Sequence, residues 1–478
     1  MSSAKPVIPD ILASRYASPQ MCHIWSQEGR VLLERELWIA VMKAQKSLGI
    51  DIPQEAIEAY ERVKHDIRID RINERERVLR HDVKSRIEEF CELAGYEHIH
   101  KGMTSRDLTD NVEQLQVFRS LEIIRVKYIA ALGMLAEWSK KTRDLMMVGR
   151  THNVPAQPIT LGKRLAMFGE EMLVAFRQLE SLMAQYPLRG IQGAVGSQLD
   201  QRILLQDNET ALRQLESDIR KHLGFQNSFN AVGQVYPRSL DEATVHGLFH
   251  LSSGISSFAK TLRLMAGQSL ATEGFQKGQV GSSAMPHKMN SRSSERINGF
   301  HSILNGYVNM LMGLSGDQWN EGDVSCSVVR RVALPGAMFA MDGELETFMT
   351  ILKEMGFYEQ VIAQELAYHL PFLATTSILM ACVQKGCGRE LAHEAIKENA
   401  IAVVDALRRG EMTHNPLPER LANDPRLPLS LGEIQAILNN PRNFVASSSQ
   451  QVMHFADQVE QLMNQYPHAR NYTPQPII

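Results

Sequence analysis

Proline is scarce where it matters most. None lies between Pro53 and Pro155, and only Pro158, Pro187, Pro237, Pro286 and Pro335 follow before Pro371. A proline inside a helix costs about 3 kcal/mol, so intervals of this length leave room for long helices. Aromatic residues are also few, 6% against 44% hydrophobic with 23 Met, which favours helices over strands rich in aromatic and β-branched side chains. The five cysteines are an odd number without a Cys-x-x-Cys pair, which argues for reduced thiols and against a disulfide framework or a cysteine metal site. A net charge of -3 gives no sign of a polyanion-binding surface but leaves room for a local cationic pocket. No strong alternating strand pattern and no short-period repeat is visible. The N-terminal residues have no apolar core of signal-peptide length, and no uncharged run is read as long enough to span a membrane. The expectation is a soluble cytoplasmic protein with neither membrane nor nucleic acid as partner.

What is present is helical periodicity. Val112, Leu115, Phe118, Leu121, Ile124, Tyr128, Leu132 and Leu135 recur at spacings of three and four, which predicts one apolar stripe on a long helix. The stretches 240–272 and 292–314 read similarly. Helices this long bury themselves against one another, so an all-α chain with a central bundle is expected. At 478 residues it divides into an N-terminal helical domain (1–106), a long-helix bundle (107–365) and a small helical C-terminal domain (366–478). Residues 470–478, with Pro474 and Pro476, are expected to be an irregular tail.

Chemistry concentrates in the interruptions. The run Gly281-Ser282-Ser283-Ala284-Met285-Pro286-His287-Lys288-Met289-Asn290 holds hydroxyls, an imidazole, an ammonium and an amide between two helical patterns. Gly149-Arg150-Thr151-His152-Asn153-Val154-Pro155-Ala156-Gln157-Pro158 reads as a rigid loop around a histidine, the side chain best suited to proton exchange near neutral pH. Arg80-His81-Asp82-Val83 opens a helix, with His81 off the stripe of Val83, Ile87 and Phe90. His98 and His100 find no third ligand at a recognisable spacing, so zinc is discounted. Thr104 and Ser105 precede the long helix, where they can cap it and present donors to an anion. Gly190, Gly193 and Gly196 follow no predicted strand and read as a turn, not a dinucleotide loop. Arg15-Tyr16 pairs a phosphate-capable guanidinium with a stacking ring, and Ser327 with Arg331 shares one face of a helix.

Taken together, in this order from Arg15 to Arg331, these motifs resemble the fumarase/aspartase superfamily and, within it, the adenylosuccinate lyase family. The resemblance implies its three-domain helical fold and elimination of fumarate from an N-substituted aspartate. Ser282 would be the base, with its alkoxide stabilised by backbone N–H groups and Lys288. His152 would protonate the departing nitrogen, supported by His81, and Glu295 would orient a catalytic imidazole. Substrate contacts would come from Arg15, Tyr16, Arg80, His81, Asp82, Thr104, Ser105, Thr151, Gln234, Ser283, Asn290, Arg296, Ser327 and Arg331. The resemblance implies no metal, no cofactor and no covalent intermediate. It also implies a homotetramer with sites shared between subunits and a small nucleotide as substrate. Two positions depart from the pattern: Met289 and Ser291 replace an arginine and a proline, and Gly322 stands where the family carries a phosphate-binding arginine. Arg330 is the nearest cation in sequence to make good that loss. The alternatives are another fumarate-releasing lyase, of the argininosuccinate or modified-aspartate type, and an inactive structural homologue.

Overall fold

A computed structural model describes residues 8–274, 285, 287–440 and 444–476. Six helices open the chain: α1 (Ile11–Arg15), α2 (Pro19–Trp25), α3 (Gln27–Ser47), α4 (Gln54–Val63), α5 (Ile69–Leu79) and α6 (Asp82–Ala94). The middle carries α7 (Ser105–Lys141), β1 (Met146–Thr151), β2 (Val154–Thr160), α8 (Leu161–Gln185), β3 (Pro187–Leu188), α9 (Leu199–Leu204), α10 (Glu209–Leu223) and β4 (Asn227–Ser228). Then come α11 (Ser239–Gly267), β5 (Ala271–Thr272), α12 (Arg292–Met312), α13 (Cys326–Glu354) and β6 (Gly356–Phe357). The chain closes with α14 (Glu359–Leu373), α15 (Thr375–Gln384), α16 (Arg389–Arg408), α17 (Leu417–Ala422), α18 (Leu431–Leu438), α19 (Ser448–Gln465) and a 3₁₀ turn at Pro467–Asn471.

The five long helices α7, α8, α11, α12 and α13 pack together as the expected bundle. Their relative directions can be read from side-chain rungs. Arg106 reaches Ser327 at the start of α7 and α13, Lys127 reaches Asp342 midway, and Trp138 Nε1 donates to the Leu352 carbonyl at the far end (2.6 Å). So α7 and α13 run parallel. α11 runs with them, since Asp241 pairs with Arg330 early and β5 pairs with β6 beyond its last turn. α12 runs the other way: Asn298, in its second turn, binds the Ser256 carbonyl, and Arg263 near the end of α11 binds Asn298. The bundle therefore has a near end, where α7, α11 and α13 start, and a far end, where they finish and α12 begins.

Three sequence expectations are corrected. α7 carries no single stripe: Asp107, Asp110, Asn111, Gln114, Ser120 and Lys127 are buried beside its apolar residues, because a helix at the bundle centre is covered on all sides. Pro335 and Pro371 lie inside α13 and α14, so these two helices tolerate the lost hydrogen bond. Finally, the segment Glu359–Gln384 is long and apolar enough, by length and composition, to cross a membrane, with a mean hydropathy of 1.6. It is broken at Ala374, and its second half sends Ile378, Leu379 and Cys382 into a core of their own.

That second core draws on Ala374 to Ile434, while α19 leaves it and packs on α7 and α8. Gly169 of α8 makes the close approach possible, since a Cβ there would overlap the Phe455 ring. Gly169→Ala should therefore cost about 1–3 kcal/mol by overpacking and lower the melting temperature. Adding Phe455→Leu should recover most of the loss; an unchanged melting temperature in Gly169→Ala alone would mean that α19 does not rest on α8.

Candidate active site

At the near end, Asp107 organises the start of α7. Its carboxylate accepts the Thr104 amide (2.8 Å), the Arg189 guanidinium (2.5 Å) and the Gln192 and Gly193 amides (2.9 and 3.0 Å). Thr104 is the N-cap and Ser105 the first helical residue, so both occupy the positive end of the helix. The glycine turn is drawn onto this helix start, with Gly190, Gly193 and Gly196 all at positive φ (81°, 77° and 83°). Loop 231–235 closes from another side: the Gln234 amide donates to the Glu321 carbonyl (2.7 Å), and Gly233 lets the two backbones meet. Ser327 lies in the first turn of α13, its hydroxyl bonded to Arg106 (3.2 Å), with Arg331 one turn on and exposed.

His81 caps α6, with Nδ1 accepting the Lys84 amide (3.2 Å), and Arg80 is held in the left-handed region (φ 53°). Asp82 pairs with Arg86 (3.1 Å); burial works against this carboxyl's charge, but Arg86 and the Val83 amide hold it below the usual range. The neighbouring His100 is excluded from acid chemistry at neutral pH. Burial, opposed by Asp107 and assisted by His81 and Lys84, pushes it down to about 4, and its Nδ1 accepts from Trp38 (3.0 Å).

At the far end, the loop expected around His152 is a β-hairpin. β1 and β2 pair antiparallel from Met146↔Thr160 to Thr151↔Val154, with Pro155 and Pro158 tolerated in a two-stranded ribbon. His152 (φ 53°) and Asn153 (φ 62°) are its two turn residues, the left-handed pair of a type I′ turn. This places Thr151 and His152 on an exposed tip. Arg150 anchors the hairpin to Glu365 of α14.

Ser282 and Ser283 lie outside the described residues. The segment from His287 to Ser291 lines a cleft of about 1010 Å³ together with Lys260, Arg263, Glu273 and Tyr358. Lys288 and Asn290 are therefore placed at a pocket containing several cations. Glu295 also lines it and faces Arg263 at 3.9 Å. Arg296 lies over the Tyr16 ring (5.2 Å), which brings the Arg15-Tyr16 segment beside α12.

Sequence reading missed Glu273, Asp107, Arg189 and Arg106, whose partners lie far away along the chain. Glu273 precedes the signature run yet caps the helix after it, accepting the Ser293 and Ser294 amides (2.9 and 3.0 Å) and the Ser294 hydroxyl (3.0 Å). One buried carboxylate thus ties both stems together. The expected substitution of Arg330 for the missing arginine is corrected: Arg330 is 2% exposed and bound to Asp241, Glu113 and Tyr236. Gly322 itself sits at φ 140°, and a Cβ there would lie 2.9 Å from Val235 Cγ2. The backbone selects glycine at this point.

Residues 14–304 match the model of a lyase family, and residues 371–455 match that of the adenylosuccinate lyase C-terminus. The chain is 32% identical to the adenylosuccinate lyase of Saccharomyces cerevisiae over 93% of each chain. It is 30% identical to that of Schistosoma mansoni, covering 86% of this chain and 87% of the other. In structure it resembles a 3-carboxy-cis,cis-muconate lactonizing enzyme from Pseudomonas putida (TM-score 0.79, 18% identity, 95% of this chain and 100% of the other). A fumarate lyase from Mesorhizobium is similar to the same degree (TM-score 0.78, 19% identity, 95% and 100%).

The Glu273 clamp gives a direct test. Glu273→Ala removes a cap and should cost about 0.5–2 kcal/mol, read as a lower urea midpoint, and should raise proteolytic cleavage within 275–291. Cleavage at the wild-type rate would show that the stems are held by something else.

Proposed function

We infer the chemistry from one premise: the chain belongs to the adenylosuccinate lyase family. It is a carbon–nitrogen lyase with a small nucleotide substrate. It eliminates fumarate from adenylosuccinate to give AMP, and from the succinylaminoimidazole-carboxamide ribotide (SAICAR) to give AICAR, in purine synthesis. The observation that carries this reading is that one chain matches both the lyase body and the adenylosuccinate lyase C-terminus.

For the residues, we propose the following division of labour. Ser282 takes the proton next to the succinyl carboxylate, and Lys288 with Asn290 stabilises the enolate-like charge that develops. His152, presented on a hairpin tip open to a neighbour, protonates the leaving nitrogen. Thr104, Ser105 and Thr151 hold carboxylates, while Gln234 and Ser283 contact the substrate. His81, Arg80 and Asp82 stand on the nucleotide side, with Arg15, Tyr16 and Arg296. Glu295 orients an imidazole from another copy of the chain.

We propose a homotetramer with sites shared between subunits, as the family resemblance implies, and the separation of the site residues along the helices supports sharing. Thr104 and Ser105 stand at one end of a 37-residue helix, and the His152 hairpin follows its other end, about 55 Å away. Ser327 is separated from the signature stems by the 29 residues of α13, about 43 Å. Groups this far apart in one chain can meet in one site only across copies. We also read the protein as soluble and cytoplasmic, the membrane-length segment being broken and half packed.

Arg106 takes the part of the missing arginine. It is the cation that touches Ser327, and its Asp110 partner keeps a second cation, Arg238 (3.1 Å). Arg106 can therefore turn to a phosphate without stranding a buried carboxylate.

Fumarate release from adenylosuccinate and from SAICAR, followed spectrophotometrically, tests the assignment. Ser282→Ala and His152→Ala should each lower kcat by ~10²–10⁴ with substrate still bound. Near wild-type rates would remove that residue from its role. Arg106→Ala should raise KM ~10-fold with kcat nearly unchanged, the loss of one charge-assisted contact. An unchanged KM would place the phosphate elsewhere.

A further inference from the structure

The two terminal segments of the chain converge on one buried cluster. Lys127 of α7 is 1% exposed and donates to both Asp342 and Glu346 (the latter at 2.7 Å), which stand one turn apart on α13 and are themselves buried. Two carboxylates against one ammonium leave a surplus negative charge inside the protein, which has to be met by dipolar donors. Those donors come from the terminal segments. The Ser18 amide donates to Asp342 (2.6 Å), and the Ser18 hydroxyl accepts from Lys127 (3.0 Å). From the other side, the Tyr472 hydroxyl and the Gln475 amide (2.8 Å) donate to Glu346, and the Tyr472 ring covers the Lys127 ammonium at 5.6 Å. The tail at 470–478, expected to be irregular, is thus fastened to the bundle through Tyr472 and Gln475.

Ser18 is two residues from Tyr16. The Tyr16 ring meets Phe300 edge-on (5.1 Å) and lies under the Arg296 guanidinium (5.2 Å). It also packs on α13 at Gly343, where a Cβ would come within 2.7 Å of the tyrosine Cβ. The position of Tyr16 is therefore set by its own packing and by the Ser18 anchor next to it.

We propose that Tyr472 and Gln475 are positioning residues for the Arg15–Tyr16 segment. They supply Glu346 with the donors that leave Lys127 and Asp342 free to hold Ser18, and so they set the affinity for the nucleotide half of the substrate. Without the tail, Glu346 draws Lys127 more strongly, and the Ser18 hydroxyl loses its ammonium donor, which weakens the anchor. The link to affinity rests on the proposed role of Arg15 and Tyr16; the anchoring itself does not.

The test uses two variants, Tyr472→Phe and a chain ending at Asn471, each checked for wild-type helix content by circular dichroism. Hydrogen exchange of the amides in 16–25 reads the anchor without substrate, and KM against kcat on adenylosuccinate reads its consequence. Exchange should speed up about 10-fold in the truncated chain and less in Tyr472→Phe, with KM rising in the same order and kcat within about 2-fold of wild type. Unchanged exchange in both variants overturns the proposal. Faster exchange with an unchanged KM overturns the link to binding. A wild type that releases no fumarate would count against the assigned reaction instead, and the exchange result would still decide whether the tail holds the segment.

Discussion

Buried charge fixes how the three parallel helices lie against each other. Arg330 of α13 binds Asp241 of α11 and Glu113 of α7; Arg238, just before α11, binds Asp110 of α7; Lys127 of α7 binds Asp342 and Glu346 of α13. All these groups except Glu113 are almost wholly inaccessible to solvent. Apolar burial drives the helices together, but leucine and alanine seams can slide. Sliding one helix by a turn, about 5.4 Å, would leave several ions unpaired in the interior at several kcal/mol each. The pairs therefore choose the register, and the register decides which loops share an end of the bundle.

That logic explains what the sequence could and could not reveal. The long helices α7, α11 and α12 were legible because each spans an interval without proline in which apolar residues repeat at three and four, whereas α13 runs through Pro335. Thr104 and His81 were legible as helix starts from local residue types. Asp107, Arg189 and Glu273 were not, because a buried ion with its partner some 20 to 85 residues away looks in sequence like any solvated charge. The hairpin was hidden for a different reason. Met146 to Thr160 contains Pro155 and Pro158 and gives no clean alternation, so its two left-handed turn residues, His152 and Asn153, carry no glycine to mark them. The α14–α15 segment misled in the opposite sense, since its apolar stretch passes the length test for a membrane span although part of it packs into the second core.

At Gly322, where the resemblance leads one to expect an arginine, the chain has a backbone that suits glycine. The backbone there is at φ 140° and sits against Val235, a conformation that an arginine would adopt only under strain. The neighbouring Arg330 has been absorbed into the register of the helices. Arg106 is in a different situation: it stands at the start of α7, beside Ser327, and shares Asp110 with Arg238. A carboxylate with two cations can release one of them toward an anionic ligand and remain neutralised. The near end thus keeps a positive group directed at the helix start, by a different route through the chain.

The same register makes the separation of the two ends rigid. A bundle locked by buried ions cannot bend to bring Thr104 and Ser327 to the His152 hairpin, because any such movement would break the pairs midway at Lys127 and Asp342. The ends of a single chain also look unfinished. Val154 beside the hairpin tip is 58% exposed, and Trp319 and Val328 around the start of α13 are 68% and 71% exposed. Exposed apolar side chains beside candidate site residues at both ends are the kind of surface that a site shared between copies would cover. For the proposed site shared between copies, the register that buried ions impose on each chain would also fix the ends that have to be matched.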